Sequence, residues 1–132
     1  GHIFFFFENG KAARVALSAY QTASNRRRLT GAYSDRSPVV QFMVLTEDRE
    51  IALYSTEPRA LIVNTALMVP KTTRTTQGVN VLTMKPKYRL DHVCLVEESG
   101  IRNLARYRGR NIPAAGALVK EEDSGEEQLT LI

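Results

Sequence analysis

The sequence predicts an all-β chain built from two similar repeats of three or four strands each. Three observations carry this. Apolar residues come in short runs rich in Ile, Val, Thr, Tyr and Phe, bounded by turn residues. No 3.6-residue apolar period persists over a long window, so no long helix is expected. The chain is also self-similar. Residues 4–15 superimpose without a gap on residues 52–63, an offset of 48. Lys11 falls on Arg59, Ala12 on Ala60 and Val15 on Val63; carried further, Arg26 falls on Arg74. Residues 39–45 match 92–96 at an offset near 51. A self-similar unit of about 50 residues implies blade or array architecture.

Taken in order, strands are expected at residues 3–7, 12–15, 39–45, 51–55, 60–64, 79–84, 92–97 and 128–131. Glu8-Asn9-Gly10-Lys11 joins the first two, and Asn-Gly between strands is the strongest short hairpin signal. Thr56-Glu57-Pro58-Arg59 joins the fourth and fifth, with proline suited to the second turn position by its fixed φ. Each hairpin is followed by a polar, basic stretch, at 19–37 and at 70–78, before an apolar strand returns to the core. Residues 17–20 read as a short helical turn. Residues 101–110 read as a basic helical turn or an irregular strand, with a loop around Pro113 and Gly116. The acidic run 121–127 contains Ser-Gly and few apolar residues and is expected to be disordered. The organisation expected is repeat 1 at about 3–48, repeat 2 at about 49–98 and a closing segment at 99–119, together one unit over 1–119. An acidic tail with a terminal strand follows at 120–132. Gly1-His2 runs directly into a strand and reads as an expression remnant, so the chain is expected to be a domain cut from a longer polypeptide.

Composition narrows the function. With 132 residues and 43% hydrophobic content, the chain can build one core and at most one domain of about 100–200 residues. It is too short for a paired dinucleotide and substrate domain, a protein kinase or a (β/α)₈ barrel. The longest apolar run, residues 3–7, falls far below the ~20 residues of a membrane-spanning helix and is too short for a signal peptide, so no membrane is expected as partner. The lone cysteine, Cys94, cannot close an internal disulfide, which fits a reducing, cytoplasmic compartment. His92-x-Cys94 supplies two metal-ligand types, and nothing completes a four-ligand set. No Gly-rich phosphate loop, His-Glu-x-x-His, nucleophile elbow or paired catalytic carboxylates is present. Tyr107, between Arg106 and Arg108, has no winged-helix pattern around it that would make it a cleaving tyrosine. No catalytic residue, metal or cofactor is expected.

Charge is unevenly spread. The net charge is +4, but residues 120–132 sum to −4 and residues 1–119 to +8. Thirteen of the eighteen basic residues are arginine. A basic body points to a polyanion, although a solvated basic surface would look the same.

The residues then resemble a known family. Phe4 to Phe7, Asn9-Gly10-Lys11 and Ala12 to Val15 fit the opening of a repeat from the C-terminal domain of the A subunit of bacterial DNA gyrase and topoisomerase IV. Leu17-Ser18-Ala19-Tyr20 resembles its polar link and Arg26-Arg27-Arg28-Leu29-Thr30-Gly31 its basic turn. Residues 51–55, 59–63 and Arg74-Thr75-Thr76-Gln77-Gly78-Val79 fit a second repeat. The likeness covers 3–97. It implies a β-pinwheel, a propeller-like disc of four-stranded blades. The implied role is non-catalytic: the disc binds duplex DNA on a positive rim and bends it. A separate catalytic core carries the cleaving tyrosine, and a B subunit supplies ATP chemistry. The family domain has five or six blades, whereas this chain has two. It also lacks the gyrase box Gln-Arg-Arg-Gly-Gly-Lys-Gly, for which residues 26–31 are the nearest equivalent. A topoisomerase IV-like role or that of a divergent paralogue follows better than strong chiral wrapping. Closed propellers have four to eight blades. Two blades leave open edges, so the disc is expected to be partial or closed by oligomerisation, with a homodimer exchanging residues 128–132 as one route.

The DNA-binding residues expected are Arg26, Arg27, Arg28, Arg36, Lys71, Arg74, Lys85 and Lys87, with Arg14 as an addition. Arginine forks match phosphate, and the flanking Thr22, Ser24, Asn25, Thr72, Thr73, Thr75 and Thr76 add neutral donors. Arg102, Arg106, Arg108 and Arg110 are dense, but the sequence leaves their local structure open. The acidic residues Glu121, Glu122, Asp123, Glu126 and Glu127 are expected to compete with DNA for the basic rim, as tethered counter-charge acts at high effective concentration. Four consecutive phenylalanines on a strand put two on each face, and burial between blades is their expected role. The alternative to DNA binding is a β-repeat module for protein–protein interaction or oligomerisation, whose mark would be an exposed apolar patch.

Overall fold

The computed structural model describes residues 1–19, 36–71, 76 and 78–123. Two sheets stack face to face. In the first, β1 (His2–Phe7) lies between β2 (Lys11–Ala16) and β3 (Val39–Leu45), all antiparallel. In the second, β4 (Glu50–Ser55) lies between β5 (Arg59–Asn64) and β8 (Leu90–Leu95), again antiparallel. The outer edge of β2 is shared by β6 (Pro70–Lys71), which is parallel to it, and β7 (Val79–Asn80), which is antiparallel. The outer edge of β5 takes the antiparallel β9 (Ala117–Leu118). One helical turn, α1 (Leu104–Tyr107), precedes β9.

The two sheets are copies, residue for residue. His2 pairs with Ala16, and 48 residues on Glu50 pairs with Asn64. Ile3 pairs with Val44, and Ile51 with Leu95. The register slips between Phe6 and Phe7 in one sheet and at the equivalent Tyr54 and Ser55 in the other. The expected offsets of 48 and 51 therefore describe the observed pairing, including its bulge.

A third offset, 38, was not expected. Lys11 and Ala12 pair with Asn80 and Val79, while Arg59 and Ala60 pair with Leu118 and Ala117. Arg14 bridges Pro70, and Ile62 bridges Arg108. Val81 N–H donates to the Gly10 carbonyl, and Val119 N–H to the Pro58 carbonyl. Each blade thus takes its outer strand from chain lying beyond the next part of the fold. Blade 1 is completed by the segment after β5, and blade 2 by the segment after β8. Gly78 and Gly116 make this possible. Their φ values are +76° and +74°, and a Cβ would sit 1.9 Å from the Ala12 oxygen and 2.2 Å from the Ala60 oxygen. Only glycine adopts that backbone freely and approaches a neighbouring strand so closely.

Several expected boundaries change. The strand expected at 79–84 stops at Asn80, because both Val81 and Leu82 N–H turn to the Gly10 carbonyl and leave the ladder. The strand expected at 92–97 runs instead over Leu90–Leu95 and ends in a 3-10 turn, Val96–Glu98. β4 and β5 are joined through Thr56–Pro58 as expected, but Glu57–Pro58 is cis and Pro58 does not take the second position of an ordinary turn; Ser55 Oγ accepts from Glu57 and Arg59 N–H. The expected strand at 128–131 lies outside the described residues.

Phe4, Phe6 and Ala12 of blade 1 pack on Ile51, Leu53, Leu61, Val63, Leu90 and Val93 of blade 2, with Met68, Val81 and Leu82 between them. The phenylalanines are thus core, each contributing about 1.5–3 kcal/mol by burial. Blade 2's other face, Ala52, Tyr54, Ala60 and Ile62, is covered by Ile101, Leu104, Tyr107 and Val119 of the closing segment. Blade 1's other face carries Phe5, Phe7 and Ala13, with Ile3 and Val39 beside them.

Candidate nucleic-acid interface

A polar knot follows the second hairpin. After β5, Asn64 Oδ1 accepts from Ala66 N–H and starts the 3-10 turn Thr65–Leu67. Thr65 is fully buried; its N–H donates to the Arg49 carbonyl and its hydroxyl to Asp48, 2.9 Å. Arg14 closes the knot. Its Nη1 lies 2.9 Å from Asp48 Oδ1 and donates to the Thr65 and Met68 carbonyls. Its Nη2 lies 3.3 Å from His2 Nδ1, and its guanidinium lies over the Phe4 ring. Arg14 is therefore an internal fastener. It ties β2 to the turn that delivers β6 and does not offer its charge to a phosphate on the rim, because these contacts occupy it.

Of the residues expected to bind DNA, Arg26, Arg27, Arg28 and Arg74 lie outside the described residues. The others fall into two groups. Arg36 stands just before the chain crosses to β3, where Glu8 N–H donates to the Pro38 carbonyl and Asn9 N–H to Ser37 Oγ. Lys87 stands at the equivalent place in blade 2, where Thr56 N–H donates to the Arg89 carbonyl. Lys85, Lys87 and Arg89 are exposed on that turn, with Lys87 Nζ over the Tyr88 ring. The structure thus brings Arg36, Lys85 and Lys87 to the hairpin-turn end of the two blades. Lys71 lies on β6, at the opposite end of β2 and on the outer edge.

The blade 2 equivalent of Lys71 is Gly109, and it sits among arginines. Arg106, Arg108 and Arg110 are all exposed along blade 2's outer edge. Arg108 makes a two-pronged ion pair with Glu50, 2.9 Å at each oxygen, and that pairing holds its guanidinium above its ordinary pKa. Arg106 reaches the Leu118 carbonyl and lies over the Tyr107 ring. Arg110 lines an open groove of about 500 Å³ with Glu50, Asn64, Leu67, Ala105, Arg108 and Gly109. The sequence showed these arginines but could not place them, because one helical turn and a two-residue strand leave no periodicity to read.

The acidic tail also changes. Glu121 and Glu122 are exposed, but Asp123 is 1% exposed and ends a 3-10 turn, Glu121–Asp123. Its carboxylate accepts from the Arg102 and Asn103 N–H groups and from the Tyr107 hydroxyl, 2.7, 3.0 and 2.8 Å. The Asn103 N–H above all, then Tyr107 and Arg102, hold its pKa below the ordinary carboxylate value. Lys120 N–H donates to the same Tyr107 hydroxyl. Asp123 is thus a clasp on the closing segment, not a mobile counter-charge, and the folded body extends past residue 119 to it. Glu126 and Glu127 lie outside the described residues.

Other reactive side chains are occupied. Tyr107 is 1% exposed and its hydroxyl serves Asp123. Burial, with Glu98 nearby, pushes the Cys94 thiol up, and burial pushes Tyr54 up to about 12. His92 Nδ1 lies 2.8 Å from Asp91 Oδ2. No group of three or more metal-ligand side chains occurs among the described residues, and no described helix is long and apolar enough to cross a membrane.

No family model and no curated protein matches the chain. Solved structures do. A DNA gyrase A C-terminal domain superimposes with a TM-score of 0.69 at 17% identity, over 93% of this chain and 46% of that one. A C-terminal domain of DNA topoisomerase IV gives 0.64 at 19% identity, over 76% of this chain and 31% of that one. The chain therefore spans less than half the length of either. Its fold is the β-pinwheel of those domains, in two four-stranded blades.

Proposed function

We propose that the chain is a non-catalytic, duplex-DNA-binding and DNA-bending domain of a type IIA topoisomerase A subunit, of topoisomerase IV or gyrase-like type. The observation that carries this reading is the match of the pinwheel fold over 93% of the chain. The charge supports it: residues 1–119 sum to +8, and the outer edges of both blades carry exposed or edge-strand basic residues. In this reading Lys71 on blade 1, with Arg106 and Arg110 on blade 2, takes successive phosphates of one duplex. Arg26, Arg27, Arg28, Arg36, Arg74, Lys85 and Lys87 extend the track. Such contacts position DNA without reading its sequence. Bending stiff duplex costs roughly 1–6 kcal/mol, so several phosphates must be engaged together. Cleavage and ATP use belong to the catalytic core and B subunit of the full-length topoisomerase. The chain itself needs no cofactor and works in the cytoplasm at the nucleoid.

The test is duplex binding by fluorescence anisotropy across a salt series. Binding at low salt that falls steeply with salt is expected, with Arg26–Arg28 and Arg74 changed to alanine weakening it. Absence of binding at low salt would overturn the reading. One observation favours a second property, protein association: Phe42 and Val44 on β3 are 62% and 50% exposed.

A further inference from the structure

The closing segment keeps one part of the repeat and lacks another. Val44 and Leu95 are equivalent positions, opposite Ile3 and Ile51. Pro70 and Arg108 are equivalent too, bridging Arg14 and Ile62. Between these landmarks the earlier passage has 24 residues, 46–69, which hold the β4–β5 hairpin. The later passage has 11, 97–107, and no strand. Beyond it the match resumes. β9 pairs as β7 does, Gly116 stands for Gly78, and Val119 N–H donates to Pro58 as Val81 N–H does to Gly10.

The shortened passage nonetheless lies where a hairpin lies in the earlier repeat. Blade 1's face of Phe4, Phe6 and Ala12 receives Leu53, Leu61 and Val63 of the β4–β5 hairpin. The equivalent face of blade 2, Ala52, Tyr54 and Ala60, receives Ile101, Leu104 and Tyr107. Val81 joins the first contact, and its equivalent Val119 joins the second. The far side is different. The hairpin is buried on both faces, with Ala52, Tyr54, Ala60 and Ile62 turned away from blade 1. The shortened passage exposes Arg102, Asn103, Ala105 and Arg106. Its backbone closes on itself in the 3-10 turn Val96–Glu98 and in α1, so it offers no strand edge. In the earlier repeat the chain runs on from Val81 to β8. After Val119 it turns back instead, and Asp123 accepts from the Arg102 and Asn103 N–H groups at the start of the passage.

We propose that residues 97–123 are a capping repeat, a third repeat whose hairpin is replaced by short turns, and that its role is to end the stack of blades at blade 2. A stack of repeats needs a terminal unit that is apolar inward and polar outward. Blade 2's Tyr54/Ile62 face is built to take another blade, as its equivalent in blade 1 does, and the cap fills it. Asp123 ties the two ends of the cap together. The proposal does not rest on DNA binding.

Two variants of the full chain test it, read by hydrogen exchange and sedimentation. In the first, a second copy of residues 46–69 replaces residues 97–107 and restores the longer passage. The added hairpin is expected to dock on blade 2, with its amides slowed by about tenfold or more relative to an unfolded segment. Self-association should strengthen by about tenfold or more, because the outer face of the added hairpin has no cap. A chimera that does not fold, or whose added hairpin exchanges freely, overturns the proposal. The second variant combines Ile101→Asp with Leu104→Asp, placing charge on the apolar side of the cap. Protection over residues 101–119 is expected to fall by about tenfold or more while β1, β2 and β3 keep theirs. Equal loss across both blades would mean that the segment belongs to one shared core, and would overturn the proposal as well.

Discussion

Arg14 and Asp123 share a logic that sequence reading inverts. Asp123 sits in a charged stretch that looks solvated and Arg14 between alanines and Val15 on a strand, and each is held by groups inside the fold. Nothing in Arg14's neighbours along the chain distinguishes it from a rim arginine; its partners, Asp48, Thr65 and Met68, lie 34 to 54 residues away. Arg14→Met should lower stability by about 2–3 kcal/mol in urea unfolding, since charged hydrogen bonds are lost and Asp48 is left short of a donor. Arg14→Lys should recover only part, because one ammonium cannot reach the carbonyls, Asp48 and His2 together. Asp123 has a pKa held down in the fold, so its contribution is present above the ordinary carboxylate pKa and is lost as pH falls through the lower, folded value. Asp123→Asn should flatten that acid limb of a pH–stability curve, and the Tyr107 environment should change by fluorescence. His2 acts at higher pH: burial and Arg14 hold its pKa below 6.5, so stability should begin to decline as pH drops below about 6.5, and His2→Gln should remove that part.

At the scale of elements, the long strands were legible and the short ones were not. Six-residue hairpins with Asn9-Gly10 or Pro58 between them announce themselves through composition and through the 48-residue offset. β6, β7 and β9 are two residues each, and no alternation can be read from two residues. Their signal is the glycine in Gly78-Val79 and Gly116-Ala117, which becomes meaningful only once Ala12 and Ala60 are known to lie beneath. Gly78→Ala and Gly116→Ala should each cost more than about 2 kcal/mol, through positive φ and collision with a carbonyl. Hydrogen exchange should localise the damage. Gly78→Ala should expose the Asn80 amide while β1 stays protected, and Gly116→Ala should do the same to Leu118. Equal loss across both blades would mean that the outer strands are not separable elements.

At the scale of the whole molecule, the question is which charges a duplex can use at once. Arg14, Arg49, Arg59 and Arg108 are engaged with Asp48, Glu97, Glu57 and Glu50; each pair is neutral, so the positive surplus is carried by the other basic residues. The sequence supplied the sum, and only the strand exchange reveals that Lys71 and the Arg106 to Arg110 cluster occupy matching edges of adjacent blades. If that edge is the DNA track, Arg110→Ala and Lys71→Ala should each reduce the slope of log affinity against log salt by about one, whereas Lys85→Ala at the other end of the blade should change it less. Equal effects from all three would point to diffuse attraction by net charge and against a track. The tail provides the complementary test. Since Asp123 clasps the closing segment, truncation has to begin beyond it to leave the fold intact. Removing residues 124–132 takes away Glu126 and Glu127 and should tighten binding at low salt, while Glu121→Gln with Glu122→Gln should add to that effect. If neither alters affinity, the acidic residues do not compete for the rim, and the clasp at Asp123 is the part of the acidic run that matters to the fold.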